Sequence, residues 1–312
     1  MRAARLHEHR QPLSVESLEL PDPAEGEVRV ELEFAGVNPV DRYNAEGRVA
    51  PDGPLPRTLG GEGAGWADGR RVLVAGGGLG STRDGVWAEA AVVPETAVLE
   101  LPDGVQTREA AAMGVAGLTA WKCVHEVAAV GAGDRVLVLG ASGGVGSMIV
   151  SLAHAAGATV WGQTGSAEKT QIVERQGADR AVVAAPEQLA EAVAELEPTV
   201  VFDPLADGCV QPVLEALAAR GRYVVFGTSA GPEVELNMQT LYRKAISVLG
   251  YAGLLLGTEE RRAGLEKALA ALRAGELKVV IDDVLPLERV DEAFERLELR
   301  QVRGKLLLGM SE

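Results

Sequence analysis

Residues 133–169 carry the feature that most constrains the fold of this chain: a short apolar strand, a glycine-rich turn, an amphipathic helix and a second strand. The first strand is Arg135–Leu139, the turn is Gly140–Gly146, and the helix that follows ends at Gly157. The second strand is Ala158–Gln163. A strand that turns sharply into a helix leaves backbone N–H groups free at the positive end of the helix dipole, which suits a pyrophosphate. The segment therefore predicts a dinucleotide site and, through it, redox chemistry.

The glycines of this turn have separate tasks. Gly140 makes the bend itself, and Gly146 lets the helix pack closely against the strand. Between them the backbone can approach a phosphate, and the expected contacts are Ala141, Ser142, Gly143, Gly144 and Val145. A glycine-rich turn can also be purely structural, but the strand before it and the helix after it favour dinucleotide binding.

The end of the second strand indicates which dinucleotide binds. A site specific for NAD places Asp or Glu there, about 20 residues after the glycines, to hold the ribose 2′-hydroxyl. Thr159–Thr164 contains no acid, and Gly165, Ser166 and Lys169 follow it. Because a hydroxyl and an ammonium attract a 2′-phosphate that a carboxylate would repel, this pattern predicts NADPH rather than NADH. An ordinary solvated lysine is the alternative for Lys169.

Composition and charge restrict the partners. The chain has 312 residues, 47% of them hydrophobic, which is enough for about two domains with full cores. Its 45 acidic and 30 basic residues give a net charge of -15, which repels nucleic acid and anionic membranes. No apolar run approaches the ~20 residues of a membrane span, and the N-terminus lacks a signal-peptide core, so a cytoplasmic protein is expected. Cys123 and Cys209 are expected to be reduced, buried thiols.

The pattern of elements divides the chain into a β part and an α/β part. Short alternating strands separated by Pro and Gly predict a mostly antiparallel β domain over residues 1–110. Helices and strands alternate over 111–255, which predicts a doubly wound parallel sheet. The expected elements include a helix at Glu187–Leu196 and a last strand at Lys305–Gly309. The tail, 256–312, is too short for a domain and is predicted to rejoin the β domain, which makes the nucleotide domain an insertion.

These segments resemble the medium-chain dehydrogenase/reductase superfamily and, within it, the zinc-free quinone oxidoreductase branch, also called zeta-crystallin-like. The likeness runs nearly end to end and rests on Ala141–Gly146, Gly36–Tyr43, Ala116–Trp121, Gly162–Lys169, Phe226–Gly231 and Gly304–Lys305. The resemblance implies an α/β fold in which a Rossmann domain is inserted into a GroES-like β domain. It also implies a homodimer formed through the edge of the Rossmann sheet, at Ser247–Tyr251.

The resemblance separates this chain from the zinc-dependent branch of the superfamily. That branch has a metal-binding Cys where this chain has Asn38, and Gly-His-Glu where it has Gly60-Gly61-Glu62. A catalytic zinc needs about three ligands from Cys, His or carboxylate, and two of them are replaced here. The four histidines show no metal-ligand spacing. No metal is expected.

The resemblance also implies which residues form the site. Asn38 and Tyr43 would donate hydrogen bonds to the negative charge that hydride transfer creates, with Asp41 beside them as an orienting carboxylate. The further cofactor contacts that it implies are Thr119 near the nicotinamide carboxamide, and Phe226 and Gly227 near the ribose. From the residues alone, Asn38 is an ordinary turn residue, Tyr43 a packing aromatic and Thr119 a helix-start hydroxyl.

The expected activity is hydride transfer from NADPH to a quinone without zinc. Reduction of an enone or enal double bond is the nearest alternative, because both acceptors take hydride at a carbon conjugated to a carbonyl. A non-enzymatic NADPH-binding protein and a zinc alcohol dehydrogenase are further alternatives. The chain departs from the branch in two places: the segment between Glu62 and Arg71 is shorter, and Ala184 stands where relatives have a tyrosine near the adenosine phosphate.

Overall fold

A computed structural model describes residues 1–310, which form two compact units. The first unit contains Met1–Leu118, Leu256–Arg273 and the chain from Ile281 onward. The second unit contains Thr119–Leu255 and Ala274–Val280. Each unit has its own sheets.

The helices and strands follow the chain in three groups. Residues 1–118 contain the strands β1 Arg2–Leu6, β2 Ser14–Ser17, β3 Glu27–Val37, β4 Arg57–Thr58, β5 Glu62–Ala67, β6 Arg70–Ala75, β7 Ala90–Pro94 and β8 Val98–Glu100, and the helices α1 Pro39–Ala45 and α2 Thr107–Ala110. Around the boundary of the units, α3 Leu118–Lys122 lies between π-helical turns at Met113–Gly117 and Cys123–Val127. Then come β9 Arg135–Val138, α4 Gly144–Ala155, β10 Thr159–Thr164, α5 Thr170–Arg175, β11 Arg180–Val183, α6 Leu189–Ala192, β12 Val200–Asp203, α7 Val210–Ala216, β13 Arg222–Val225, α8 Met238–Lys244 and β14 Ser247–Gly250. The last group is α9 Thr258–Ala274, β15 Ile281–Pro286, α10 Val290–Glu298 and β16 Lys305–Gly309.

The second unit is built on a six-stranded parallel sheet in the order β11-β10-β9-β12-β13-β14. Its central strands are continuous apolar runs, such as Val136–Val138 and Val200–Phe202, and all of these side chains are buried. Such runs are typical of a parallel sheet that is covered on both faces. The chain runs from β9 to β10 and β11 on one side and returns to β12 on the other, and an open α/β sheet binds its ligands at such a reversal. The predicted doubly wound Rossmann sheet is confirmed.

The first unit contains two further sheets. One has three strands in the order β2-β1-β4, and the other is mostly antiparallel, in the order β15-β16-β3-β5-β6-β8 with β7 paired to β3. Its core includes Trp87, which is fully buried and whose Nε1 donates to the carbonyl oxygen of Gly36 at 3.1 Å. The predicted fold class, a parallel Rossmann sheet together with a mostly antiparallel β structure, is therefore confirmed.

The pairing of β16 with β3 positions the candidate site of the first unit. The two strands are antiparallel, with Leu306 opposite Val37 and Leu307 opposite Gly36. Lys305 therefore lies beside the residue that follows Val37, which is Asn38. Because α1 begins directly after Asn38, this register brings the end of β3, the start of α1 and the start of β16 together.

One predicted helix, Glu187–Leu196, is wrong as a continuous element. The structure has a 3-10 turn at Pro186–Gln188, the four-residue α6 and a second 3-10 turn at Ala194–Leu196. Pro198 disfavours a helical conformation for Glu197, which has a φ of 45° and ends the segment.

Candidate functional site

The glycine-rich turn lies between β9 and α4, where the strand order of the parallel sheet reverses. Gly140 has a φ of 57°, which favours glycine, and the backbone N–H of Ala141 donates to the Gln163 carbonyl at 2.8 Å. Gly143 is the N-cap of α4, and no side chain caps the helix there. The first N–H groups of α4 are thus left for a ligand, and the positive end of the helix dipole favours an anion.

Gly146 has to be glycine for a reason that the structure gives directly. A Cβ added there would lie 2.4 Å from the carbonyl oxygen of Gly140. The first turn of α4 can therefore pack against the end of β9 only because the side chain is absent. This is the packing role that the sequence predicts for this glycine.

The residue at the end of β10 holds the turn in place. Gln163 is buried, its Oε1 accepts the backbone N–H of Gly140 at 3.1 Å, and its Nε2 donates to the carbonyl of Ala184 at 2.8 Å. The buried hydroxyls of Ser142 and Thr164 lie 3.2 Å apart. The sequence shows only that an acid is missing from this strand, whereas the structure shows that an amide braces the glycine turn in this region.

The segment that follows β10 has open space beside Gly165 and, on Ser166, a polar atom without a hydrogen-bond partner among the described residues. A Cβ on Gly165 would meet no atom within 4 Å. The Ser166 hydroxyl oxygen is buried and has no hydrogen-bond partner within the described residues 1–310. Since buried polar atoms are normally satisfied, this hydroxyl indicates a ligand or water position. Lys169 ends the 3-10 turn Ala167–Lys169 three residues further on. These residues fit a phosphorylated dinucleotide.

The remaining predicted cofactor residues are placed as follows. Phe226 and Gly227 follow β13, and the N–H of Phe226 donates to the carbonyl of Asp203 at 3.0 Å. Because β9 and β13 are parallel strands of one sheet, Phe226 and Gly227 lie at the carboxyl end of the strands, as the glycine turn does. Thr119 lies in α3 and is buried. No hydrogen bond within residues 1–310 links Thr119 to the glycine turn.

The first unit contains a second polar site at the start of α1. The backbone N–H of Asn38 donates to Asp41 Oδ2 at 2.8 Å, and that of Gly61 donates to Asp41 Oδ1 at 3.2 Å. Burial raises the pKa of the Asp41 carboxyl to about 7, and the neighbouring Glu62 carboxylate adds to the rise. The Lys305 ammonium and the two N–H donors oppose it. Asp41 therefore braces the turn between β3 and α1 against the start of β5.

The Asn38 side chain belongs to a closed buried network. Its Nδ2 donates to Glu62 Oε1 at 2.6 Å, and its Oδ1 accepts from Lys305 Nζ at 2.5 Å. Lys305 Nζ also donates to Glu62 Oε1 at 2.8 Å and to the carbonyl of Val37 at 3.2 Å. Glu62 Oε2 accepts the backbone N–H of Val115 at 2.7 Å. All three side chains are buried.

Two members of this network, Glu62 and Lys305, are absent from the predicted site. Their carboxylate and ammonium are separated by 243 residues in the sequence, so no local pattern joins them. The available signal is a lysine at the start of the apolar strand β16, because a buried ammonium needs a partner. Gly36 makes room for the pair, since a Cβ there would lie 2.2 Å from Glu62 Oε1.

Tyr43 lies on α1, five residues after Asn38, and is half-buried. The guanidinium carbon of Arg48 lies 4.3 Å from the centre of the Tyr43 ring, and the guanidinium carbon of Arg42 lies 5.8 Å from the same ring centre. Within residues 1–310 the Tyr43 hydroxyl has no hydrogen-bond partner. The structure therefore places Asn38 at the N-cap of α1, Asp41 in its first turn and Tyr43 in its second, and leaves the phenol able to donate to a ligand.

The donors at this site do not suit zinc. Asn38 supplies an amide, and Gly61 has no side chain. The Glu62 carboxylate is already paired with the Lys305 ammonium. In the part of the chain that the structure describes, no group of three or more His, Cys, Asp or Glu side chains could hold a metal ion. Both cysteines are buried, and neither forms a disulfide within the described residues. Over the same residues, no helix combines the length and apolar character that crossing a membrane requires.

Comparison with known proteins matches the chain to a family model, to individual proteins and to solved structures. The family model described as "Zinc-binding dehydrogenase" matches residues 144–274, a range that excludes positions 38, 61 and 62. The human protein named "Quinone oxidoreductase" is 31% identical over 316 residues, which cover 95% of this chain and 94% of that protein.

Two solved structures cover the chain almost completely. The structure of Escherichia coli quinone oxidoreductase complexed with NADPH superposes with a TM-score of 0.86 at 27% identity, covering 99% of this chain and 100% of the other. A structure described as an NAD-dependent alcohol dehydrogenase has a TM-score of 0.90 at 30% identity and covers 100% of both chains. The likeness therefore extends over both compact units.

Proposed function

The chain belongs to the quinone oxidoreductase branch of the medium-chain dehydrogenase/reductase superfamily and is an oxidoreductase, and we propose that it transfers hydride from NADPH to a quinone without zinc. The observation that carries the proposal is the network of Asn38, Glu62 and Lys305. Asn38 stands where the zinc-dependent branch has a metal-binding Cys, and its amide is held by the ion pair of Glu62 and Lys305.

NADPH fits the residues around the parallel sheet. When bound, it supplies the hydride. The backbone from Ala141 to Val145 would hold the pyrophosphate at the N-terminus of α4, where no side chain caps the helix. Gly165, Ser166 and Lys169 would hold the 2′-phosphate, and the unsatisfied Ser166 hydroxyl supports this assignment. Thr119 would contact the nicotinamide carboxamide, and Phe226 and Gly227 the ribose.

The first unit would act on the acceptor. A quinone oxygen gains negative charge as hydride arrives at the ring, and hydrogen-bond donors stabilise that charge. Asn38 has one Nδ2 hydrogen that no described residue accepts, and the Tyr43 hydroxyl is available as a second donor. Tyr43 or a water would then supply the proton. Asp41 holds the turn at Asn38, from which α1 leads to Tyr43.

Reduction of an enone or enal remains the alternative, and paired turnover assays separate it from quinone reduction. The assay follows NADPH oxidation with 1,4-benzoquinone and with but-3-en-2-one, each repeated with NADH. We expect kcat/KM for the quinone to exceed that for the enone by at least about tenfold. A faster reaction with the enone would reassign the activity to double-bond reduction. Equal rates with NADH would remove the preference for NADPH.

A homodimer is proposed on the edge of the parallel sheet. β14 is the outermost strand of that sheet, and its Val248 side chain is 48% exposed. Leu254 and Leu255, just after it, are 68% and 86% exposed. An uncovered edge strand beside exposed apolar side chains favours pairing with a second copy of the same strand about a two-fold axis.

The proposed compartment is the cytoplasm. Cys123 and Cys209 are both buried and form no disulfide within residues 1–310, and reduced thiols suit a reducing environment. The charge of -15 does not favour nucleic acid as a partner. The proposed ligands are therefore small molecules.

A further inference from the structure

The buried ammonium of Lys305 uses all of its hydrogens in bonds to neighbouring residues. Its Nζ donates to Glu62 Oε1, Asn38 Oδ1 and the carbonyl of Val37. An ammonium has three hydrogens, and each has a partner. Lys305 is also buried. Its ammonium is therefore not available to touch a substrate, and any effect on the reaction has to pass through a neighbour.

That neighbour is the Asn38 amide. An ammonium can only donate and a carboxylate only accepts, so Oδ1 must face Lys305 and Nδ2 must face Glu62. The partners thus remove the usual ambiguity between the two orientations of an asparagine amide. One Nδ2 hydrogen goes to Glu62, and the other remains for a ligand. The amide can present an N–H, and not its oxygen, to whatever binds beside it.

We propose that Lys305 is a positioning residue for hydride transfer: through its ion pair with Glu62 it fixes the Asn38 amide so that an N–H faces the acceptor oxygen. The inference rests on the proposed function and extends it to a residue outside the predicted site. A reversed amide would place its own oxygen against an oxygen that is gaining negative charge, which repels it. The fixed orientation is already formed before the reaction and costs no reorganisation during it.

The charge balance of the network supports the same role. Glu62 has no other cationic partner among the described residues, and Asp41 is a second buried carboxyl nearby. Without the ammonium, the carboxylates would make the site negative and oppose the charge that develops on the acceptor. In a zinc enzyme a metal ion supplies positive charge at such a site. Here the cation is part of the chain.

The test is a double-mutant cycle on the rate of hydride transfer. Lys305→Met alone would leave Glu62 buried and unpaired. Both residues are therefore replaced together as Glu62→Gln/Lys305→Met, because replacing a whole buried ion pair is far less destabilising than removing one partner. Single-turnover oxidation of NADPH by 1,4-benzoquinone is measured for wild type, the exchanged pair, Asn38→Ala and the combination of all three. Thermal unfolding and the Kd for NADPH are measured on the same proteins.

The cycle has a specific expected result. The pair exchange lowers the hydride-transfer rate by about 10- to 100-fold in wild type, because the amide is no longer held in one orientation. In the Asn38→Ala background the same exchange changes the rate by less than about twofold, because the residue through which Lys305 acts is already gone. The Kd for NADPH stays unchanged throughout. The control Asp282→Asn/Asp283→Asn/Arg296→Met removes the two ion pairs that Arg296 forms in the first unit, each 2.7 Å long, and keeps the wild-type rate.

Other outcomes overturn the proposal. Equal rate losses in both backgrounds would show that Lys305 does not act through Asn38. An unchanged rate in Asn38→Ala would show that the Asn38 amide is not a donor to the acceptor. By contrast, a wild-type protein that binds NADPH but oxidises it with no quinone would contradict the proposed function, and the positioning role would then be judged by the measurement on the unreacted protein below.

That measurement needs no variant of the ion pair to fold and no turnover. In ¹⁵N-labelled wild type, the side-chain NH₂ of Asn38 is identified by its loss in Asn38→Ala. We expect its hydrogens to exchange with solvent at least about tenfold more slowly than those of the exposed Asn237, because the amide is held in a buried network. Exchange as fast as that of Asn237 would show that the amide is free to turn and would overturn the proposal.

Discussion

Asn38 is not used as an ordinary N-cap asparagine is used. In most helices such a residue accepts a hydrogen bond from the first turn with its side chain. Here the cap works in the reverse direction, because the Asp41 carboxylate accepts the backbone N–H of Asn38. The Asn38 amide is left for Glu62 and Lys305. The residue that the sequence pattern predicts as a simple turn is therefore part of a buried polar network.

Asp41→Asn is expected to remove one contribution to the pH dependence of stability between about pH 4 and pH 7. Burial raises the pKa of the Asp41 carboxyl from 3.8 to about 7. Over this range Asp41 has lost its proton in the unfolded chain and keeps it in the folded chain, so its contribution to the free energy of unfolding falls as the pH rises. Above the folded-state pKa both forms are ionised and the fall ends. Urea denaturation of both proteins across this range measures the effect.

In Asp41→Asn, the difference between wild type and variant isolates this carboxyl, because the other titrating groups are common to both. The variant also loses one of the two N–H contacts that the carboxylate accepts, which costs about 1 kcal/mol at every pH. Parallel pH profiles in the two proteins would contradict the assignment of a raised pKa to Asp41.

Lys169→Ala is expected to reduce the preference for NADPH over NADH. Removing an ammonium from a 2′-phosphate site raises the KM for NADPH by about 10- to 100-fold and leaves the KM for NADH nearly unchanged. The control is Lys278→Ala, which removes the same charge from an exposed position in the same unit. Steady-state kinetics with both cofactors provide the comparison. Unchanged discrimination in Lys169→Ala would remove this residue from the site.

The sequence predicted some residues of the candidate site and missed others for a physical reason. Asn38, Asp41 and Tyr43 lie within six residues of one another, and the structure has all three at the N-cap and in the first two turns of α1. Glu62 and Lys305 are 24 and 267 residues from Asn38, and the pairing of β3 with β5 and with β16 brings them to it. An ion pair formed through strand register leaves no pattern in a local window of sequence.

The elements of the parallel sheet were predictable because their signals are local. An apolar strand, a glycine turn and a helix follow one another within a few residues, and the structure has β9, the turn and α4 in that order. The predicted last strand, Lys305–Gly309, is also β16 as observed. The segment at 187–196 was mistaken for one helix because its apolar spacing is helical, although Pro198 and the left-handed Glu197 stop it.

The edge strand β14 carries the prediction on assembly. Val248→Asp places a charge on that edge and is expected to convert a dimer into a monomer, because a desolvated, unpaired carboxylate is costly in a strand interface. Light scattering after gel filtration should give twice 32.6 kDa for wild type and 32.6 kDa for the variant. Val183→Asp is the matched control, since Val183 is also 48% exposed and lies on β11, the opposite edge of the same sheet.

The mass of Val183→Asp should stay that of the dimer. A wild type that elutes with the mass of one chain would contradict the proposed homodimer. A Val183→Asp variant that dissociates while Val248→Asp does not would move the interface to the other edge of the sheet.

For the whole molecule, periodicity and resemblance were enough to predict the class of fold. The parallel sheet and the antiparallel strands of the first unit follow from apolar patterns that each segment carries by itself, and the match to relatives extends over nearly the full chain. The description of the matching family model mentions zinc, but that match begins at residue 144, after positions 38, 61 and 62. The fold and the family match therefore leave the chemistry at these positions open, and the roles of Asn38, Glu62 and Lys305 are proposals that the variants above test.

We propose that the chain uses its own ion pair and hydrogen-bond donors where zinc enzymes use a metal. This is tested by measuring NADPH oxidation by 1,4-benzoquinone after exhaustive dialysis against a chelator, with zinc measured in the same sample. We expect the full rate at less than about 0.1 zinc per chain. A rate that falls as zinc is removed and returns when zinc is added back would contradict it.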